Sequence, residues 1–194
     1  QWCGATGKKD NCVVTVHLGY AREDFHCLLD SELFLPESWS NDRPRCRAAD
    51  IPDEMVHRPK TAIALELCDR ARSNGVAFEW LTFDEGYGKS VGFLAALCRR
   101  EQKFVAEVPV TFRGWIHRPH VTNRRRSVVG RPRKGPRLVA GSRPFLSVRE
   151  HLEHSPELRD QPWQRYRVKD GEKGPMVWEV KHVWFYPNGV DDLP

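Results

Sequence analysis

At 194 residues, with 40% apolar and 29% charged side chains, the chain suits one domain, or one domain carrying a large insertion, and is too apolar for a disordered segment. No apolar run approaches the roughly 18–20 residues of a membrane span and nothing resembles a signal peptide, so no membrane partner and a cytoplasmic location are expected. The net charge of +5 is unevenly spread: no acidic residue lies between Glu107 and Glu150, where eleven Arg and Lys accumulate, and a polyanionic partner is expected, nucleic acid first.

The first predicted element is a strand. From Cys12 to Tyr20, Cys12, Val14, Val16, Leu18 and Tyr20 alternate with Val13, Thr15 and His17, which is the two-residue period of a strand. Phe25, Cys27, Leu29, Leu33 and Leu35 repeat the pattern, and Glu23-Asp24 supplies the turn of an antiparallel hairpin or meander. Pro36 to Pro59 is polar and Pro-punctuated and reads as a long ordered loop with a helical turn. Lys60 to Asn74 is the strongest helix, with Pro59 near its start, Ile63, Leu67 and Ala71 on one face, and Gly75 as the stop. A strand over Val76–Phe83, a helix over Ser90–Arg100 and a strand over Phe104–Val110 follow, giving the order of a mixed α/β layer. Beyond Pro109, Gly and Pro become frequent and apolar runs short, until Met176–Val180 and Val183–Tyr186, which read as strands of a hairpin or an edge.

Asp84 is the most informative residue. It ends a hydrophobic run that reads as a buried strand, and the turn Glu85-Gly86-Tyr87-Gly88 follows. Open α/β sheets place ligands and chemistry at the carboxyl ends of strands, and a carboxylate there can ligate a hard cation such as Mg²⁺. The competing reading of Asp84 is a turn residue or helix N-cap. Glu85 points to the opposite face if the strand continues. The segment Gly130-Arg131-Pro132-Arg133-Lys134-Gly135-Pro136-Arg137 contains the Gly-Arg-Pro core of an AT-hook-like element, whose arginines reach the minor groove or the phosphates; a solvated basic loop is its alternative.

Other signals are weaker. Six cysteines (Cys3, Cys12, Cys27, Cys46, Cys68, Cys98) contain no CxxC pair, which argues against zinc and against a disulfide scaffold. Cys12, Cys27, Cys68 and Cys98 fall on apolar faces, as small hydrophobes in the reduced state. His117 and His120, like His151 and His154, lack a third ligand, so no histidine metal site is expected. Trp178, Trp184, Phe185 and Tyr186 read as packing residues rather than a base-stacking platform. There is no P-loop, G-x-S-x-G or dinucleotide fingerprint.

Several strings, in order, carry a resemblance. They are Gln1-Trp2-Cys3-Gly4 with Gly7-Lys8-Lys9-Asp10-Asn11-Cys12; Asp30-Ser31-Glu32-Leu33-Phe34-Leu35-Pro36-Glu37-Ser38-Trp39; Asp42-Arg43-Pro44-Arg45-Cys46-Arg47-Ala48-Ala49 with Ile51-Pro52; and Thr82-Phe83-Asp84-Glu85-Gly86-Tyr87-Gly88. With the tryptophan-rich text near Trp163 and Trp178, the sequence resembles the DDE transposases of bacterial insertion sequences, in the branch with a β-rich insertion. The resemblance implies an α/β fold: an RNase H-like mixed sheet with flanking helices, incomplete here, plus a β-rich basic insertion. It places a partial catalytic core at residues 1–110 and the insertion at 111–194.

The resemblance further implies DNA strand cleavage and transfer, with transposon-end DNA as partner, a homodimer in the intact enzyme and Mg²⁺ or Mn²⁺ as cofactor. Asp, Asp and Glu hold two such ions about 3.5–4 Å apart to clamp the attacking and leaving oxygens of an in-line phosphoryl transfer. By position Asp84 matches the second acid, catalytic and metal-ligating. The first acid of the family would precede Gln1 and the final Glu would follow Pro194; Asp10, Asp30, Asp191 and Asp192 match neither motif. The expectation is therefore an internal fragment that is inactive alone and does not hold the metal stably. It is also poorly stable, because the absent first strand leaves backbone groups unpaired at about 1–3 kcal/mol each. DNA contacts are expected from Arg113, Arg118, Arg124, Arg125, Arg126, Arg131, Arg133, Lys134 and Arg137. The alternatives are a non-catalytic DNA-binding relic using segment 113–143, and a pseudogene product without function.

Overall fold

The computed structural model describes residues 2–3, 6–9, 12–122, 136–172 and 174–188, and the chain forms two units, Gln1–Glu79 and Trp80–Pro194. In the first unit β1 (Trp2–Cys3) and β2 (Lys8–Lys9) make a short antiparallel pair. The expected hairpin is present as β3 (Thr15–Arg22) and β4 (Phe25–Leu33). Its turn is Glu23-Asp24, with Glu23 in the left-handed region at φ 53°, and a bulge shifts the register between Leu18 and Gly19.

Two short helices, not one turn, occupy the polar segment that follows: α1 (Glu37–Ser40) and α2 (Arg43–Ala48). Asp42 caps α2, its Oδ1 accepting from the Arg45 amide at 3.1 Å. Arg43 then donates to the carbonyls of Asp53 at 3.0 Å and Met55 at 3.1 Å, which fixes the chain's return toward α3 (Lys60–Ser73). Ile63, Leu67, Cys68 and Ala71 of α3 are buried, as are Val16 and Leu18 of β3, and the helix lies on the hairpin. Each fully buried Ile or Leu contributes roughly 1.5–3 kcal/mol. Ion pairs stitch the same contact at its rim: Arg70 Nε donates to Asp30 Oδ2 at 2.7 Å, and Arg58 pairs with Glu32 and Glu66.

The second unit opens with β5 (Trp80–Phe83), shorter than the predicted Val76–Phe83. The difference lies in the end of α3: the Val76 amide donates to the Ala71 carbonyl at 3.0 Å, and Arg72 stacks over Phe78 at 5.1 Å, so these residues close the helix and do not extend the strand. After α4 (Glu85–Gly88) and α5 (Val91–Arg99) comes β6 (Lys103–Ala106), parallel to β5 with Trp80 opposite Lys103 and Phe83 opposite Ala106. α5 starts at an N-cap, Ser90 Oγ accepting from the Phe93 amide at 3.3 Å, and buries Phe93 through Leu97. β5 is not the fully buried strand its composition suggested. Leu81 and Phe83 are half-buried, whereas Trp80 and Thr82 are exposed.

The remaining strands are short and antiparallel. β7 (Arg113–Trp115) is the centre of a three-stranded sheet, β8 (Val121–Thr122) pairs with β9 (Arg137–Leu138), and β10 (Leu146–Ser147) leads into α6 (Val148–His154) and α7 (Pro156–Arg159). α6 carries a capping box in which the Ser147 side chain and the Glu150 carboxylate satisfy each other's backbone amides. β11 (Gln164–Gly171) and β12 (Gly174–Val180) form a two-stranded ribbon, and β13 (Tyr186–Pro187) returns to β7, which it flanks opposite β10.

Three expectations are corrected here. Met176–Val180 pairs with Gln164–Gly171, a strand the sequence did not announce, and not with Val183–Tyr186, of which only Tyr186 enters a strand. Trp178 and Trp184, read as packing residues, are 58% and 81% exposed, while Phe185 and Tyr186 do pack. Cys98 is exposed, because it falls just beyond the buried stretch of α5; Cys46 and Cys68 are buried, and Cys12 and Cys27 half-buried. Among the described residues no helix is long and apolar enough to cross a membrane.

Candidate functional site at the end of strand β5

β5 delivers Asp84 to the point where two parallel strands stop. The Phe83 ring packs on Phe93 at 5.1 Å, on Phe104 at 5.7 Å and on Tyr87 at 6.5 Å, so the last strand residue is anchored to α5, to β6 and to the turn beyond it. The next residue along β6, Glu107, extends the ladder by one bond, its amide donating to the Phe83 carbonyl at 3.2 Å. Asp84 is extended (φ −78°, ψ 178°) and occupies the N-cap position of α4, its carbonyl accepting from the Gly88 amide at 2.9 Å.

The cap reading is therefore right about position and wrong about the side chain. The Asp84 carboxylate accepts no capping hydrogen bond and is exposed. Instead it leans over the turn, with Oδ1 at 2.9 Å from the point where a Cβ on residue 86 would stand. Gly88 closes the other end of the turn, and a Cβ there would lie 1.9 Å from the Glu107 carbonyl oxygen. Burial and the neighbouring Asp84 carboxylate push the Tyr87 hydroxyl above its ordinary range. At both glycines a side chain would meet a close neighbour, a constraint hidden in what reads along the sequence as turn punctuation. Their signal was their spacing, i+2 and i+4 from a strand-end acid.

The basic stretch is only partly described. Arg124, Arg125, Arg126, Arg131, Arg133 and Lys134, with nearly all of the AT-hook-like segment, lie outside the described residues. Arg113 donates to the Phe145 carbonyl at 2.7 Å and stacks over the Phe145 ring at 5.1 Å. Arg118 sits on an exposed loop, and Arg137 is half-buried in β9 opposite Thr122. Arg143 and His117 both bond Glu157; with its own backbone amide first, they hold that carboxyl down at about 2. His151 is a core residue, its Nε2 donating to the Gly114 carbonyl at 3.0 Å and its Nδ1 bonded to Ser155 Oγ at 2.8 Å. No metal was expected there, and its hydrogen bonds are taken up by the fold.

The amino-acid sequence matches the family of DDE superfamily endonucleases over residues 1–175, a span that contains Asp84 and both strands around it. The chain belongs to that family. No curated protein and no solved structure matches it. The mixed α/β architecture, with its small sheets and several helices, is compatible with a DDE superfamily domain, and an endonuclease of this superfamily acts on DNA.

Members of the superfamily typically use divalent metals, and Asp84 fits one ligand position: a hard oxygen donor, exposed, at a strand end and without a competing hydrogen bond. Among the described residues no group of three or more His, Cys, Asp or Glu side chains comes together to complete such a site.

Proposed function

We propose that this chain carries part of the catalytic core of an insertion-sequence transposase, which cleaves DNA strands at transposon ends and transfers them. In this reading Asp84 is the second of three metal-binding acids and the sheet is of the RNase H-like type. The core runs to about residue 110 and a β-rich basic insertion follows. A bound divalent cation would supply charge stabilisation for the reacting phosphate. The chain's own part is to present an uncapped carboxylate at a fixed point and to bring cationic side chains to the DNA backbone. Arg118 and Arg137, with Arg124, Arg125, Arg126, Arg131, Arg133 and Lys134, are the phosphate contacts proposed. Arg113 adds charge to the same region from its seat on Phe145. A cytoplasmic location and a dimeric working form belong to the same reading.

The observation that carries it is the conjunction of the family match with Asp84 standing uncapped where β5 ends. The parallel β5–α5–β6 unit also supports the reading. Mg²⁺-dependent nicking of transposon-end DNA tests the reading. Asp84→Asn should abolish nicking by the complete enzyme while leaving DNA binding intact. Undiminished cleavage by Asp84→Asn would remove Asp84 from the chemistry.

A second reading is a non-catalytic DNA-binding protein, favoured by the lack of a gathered ligand set among the described residues. It requires salt-sensitive binding that persists in EDTA and is indifferent to Asp84→Ala. Neutralising Arg124, Arg125 and Arg126 would flatten the salt dependence under either reading. An unchanged salt slope would dismiss the basic segment.

A further inference from the structure

The β11–β12 ribbon has two unlike faces. Its ladder sets Tyr166 opposite Trp178, with Met176 on the same side of β12, and the Tyr166 hydroxyl donates to Gln164 Oε1 at 2.9 Å along that face. Tyr166, Met176 and Trp178 are 52%, 41% and 58% exposed. The opposite face carries Arg165, Arg167, Val177 and Glu179. Its charges are neutralised within the ribbon: Arg165 pairs with Glu179 at 3.9 Å, and Arg167 Nε donates to Asp170 Oδ1 at 3.0 Å. A two-stranded ribbon is marginal in water unless its apolar face packs against something.

The base of the ribbon is fixed. Lys181 Nζ donates to the carbonyls of Leu158 at 2.9 Å and Arg159 at 2.7 Å, and lies over the Trp163 ring at 4.8 Å. The Gln161 amide holds both backbone groups of His182, donating to the carbonyl at 3.1 Å and accepting from the N–H at 2.9 Å. The aromatic face is therefore presented in one direction relative to α7, and a partner that meets it orders little more than side chains. Charge selects the class of partner. From Gln164 to Val180 four basic residues stand against three acidic ones, and both arginines are already paired, so the ribbon lacks the cationic footprint of a polyanion site. The same balance lets two ribbons meet without strong repulsion.

We infer that the Tyr166–Trp178 face of the ribbon is where a second copy of this chain packs. A two-fold axis along the ribbon lays β11 of one copy over β12 of the other. Tyr166 of each copy then meets the partner's Trp178, and the aromatic contact forms twice. β11 has eight residues, so the face is roughly 26 Å long at about 3.3 Å per residue and about 10 Å wide. That is well below the roughly 800 Å² per partner of a standard stable interface, so the dimer is reversible, with a Kd on the order of 10 µM. Below that concentration the ribbon stands open and Trp178 adds little to stability. The inference deepens the dimeric form of the proposed function and rests on that reading.

The test is sedimentation equilibrium of the full chain from about 1 to about 100 µM, a range that brackets the expected Kd. Wild type is compared with the double variant Tyr166→Thr, Trp178→Thr and with Val177→Thr, which alters the opposite face; threonine keeps the strand propensity. Wild type should pass reversibly from monomer to dimer and stop at two, as an isologous contact requires. The double variant should associate at least about tenfold more weakly, and Val177→Thr within about twofold of wild type. A wild-type dimer untouched by the double variant overturns the inference and leaves the dimeric reading standing. A wild type monomeric throughout removes both. Equal weakening by Val177→Thr, or assembly that does not stop at two, overturns the inference, because neither is a specific contact through this face. So does a single-stranded DNA oligonucleotide that disperses the wild-type dimer and binds only while Tyr166 and Trp178 are present, since the face then belongs to nucleic acid.

Discussion

Gly88→Ala tests how the turn after Asp84 is seated on the sheet. The new methyl would lie 1.9 Å from the Glu107 carbonyl oxygen and 3.0 Å from its carbon, and neither atom belongs to a side chain that can rotate away. Relief requires α4 and the end of β6 to part by roughly an ångström, and overpacking of this kind costs about 1–3 kcal/mol. The separation also strains the bond from the Glu107 amide to the Phe83 carbonyl, 3.2 Å in length, a loss of about 1 kcal/mol. Alanine's better helix propensity returns at most about 1 kcal/mol. The net expectation is a loss of about 1–3 kcal/mol, read as a lower denaturation midpoint at constant slope in urea. Gly92→Ala is the control: it lies in α5 with nothing within 4 Å of its Cβ, and should be neutral or stabilising. A Gly88→Ala midpoint equal to that of Gly92→Ala would refute the packing argument.

Two further outcomes follow from the same geometry. Glu157, held at about 2 against an ordinary 4.5, gives stability that is fully present above pH 4.5 and is lost as pH falls toward 2. The gap in melting temperature between wild type and Glu157→Gln should therefore close on acidification, and a gap independent of pH would contradict the assignment. Trp115 is 3% exposed and Trp178 58%, so Trp115→Ala should cost about 3–5 kcal/mol and Trp178→Ala less than about 1 kcal/mol, in the same denaturation assay. Equal losses would mean that the ribbon is packed after all.

The sequence was most legible where one face of an element is buried and the other is wet. The α3 pattern of Ile63, Leu67 and Ala71 and the β3 alternation through Val16 and Leu18 each arise from that asymmetry, and both elements appear within a few residues of their expected limits. β11 was invisible for the opposite reason. Its residues Gln164 to Gly171 are exposed on both faces, so no burial period is written into them, and what defines the strand is its hydrogen bonding to β12. The same exposure explains the misreading of Trp178, whose neighbour across the ladder is Tyr166 and not a core. At the candidate site the acid and its strand could be read. The absence of a cap bond to Asp84 and the closeness of residue 86 depend on three-dimensional contacts that spacing alone does not specify.

The central position of β7 has a consequence for synthesis. Its two partners are β10, where Leu146 pairs with Gly114, and β13, where Tyr186 pairs with Trp115. The second partner leaves the ribosome about 70 residues after β7, which at roughly 5–20 residues per second is a wait of several seconds. Through that interval Phe112 and His151 lack the Phe185 ring that packs on them, and the space over Gly114 is not yet filled by Phe185. Folding of this unit is thus gated by the emergence of β13, and a nascent chain stalled before Tyr186 would present an open sheet edge to chaperones and proteases.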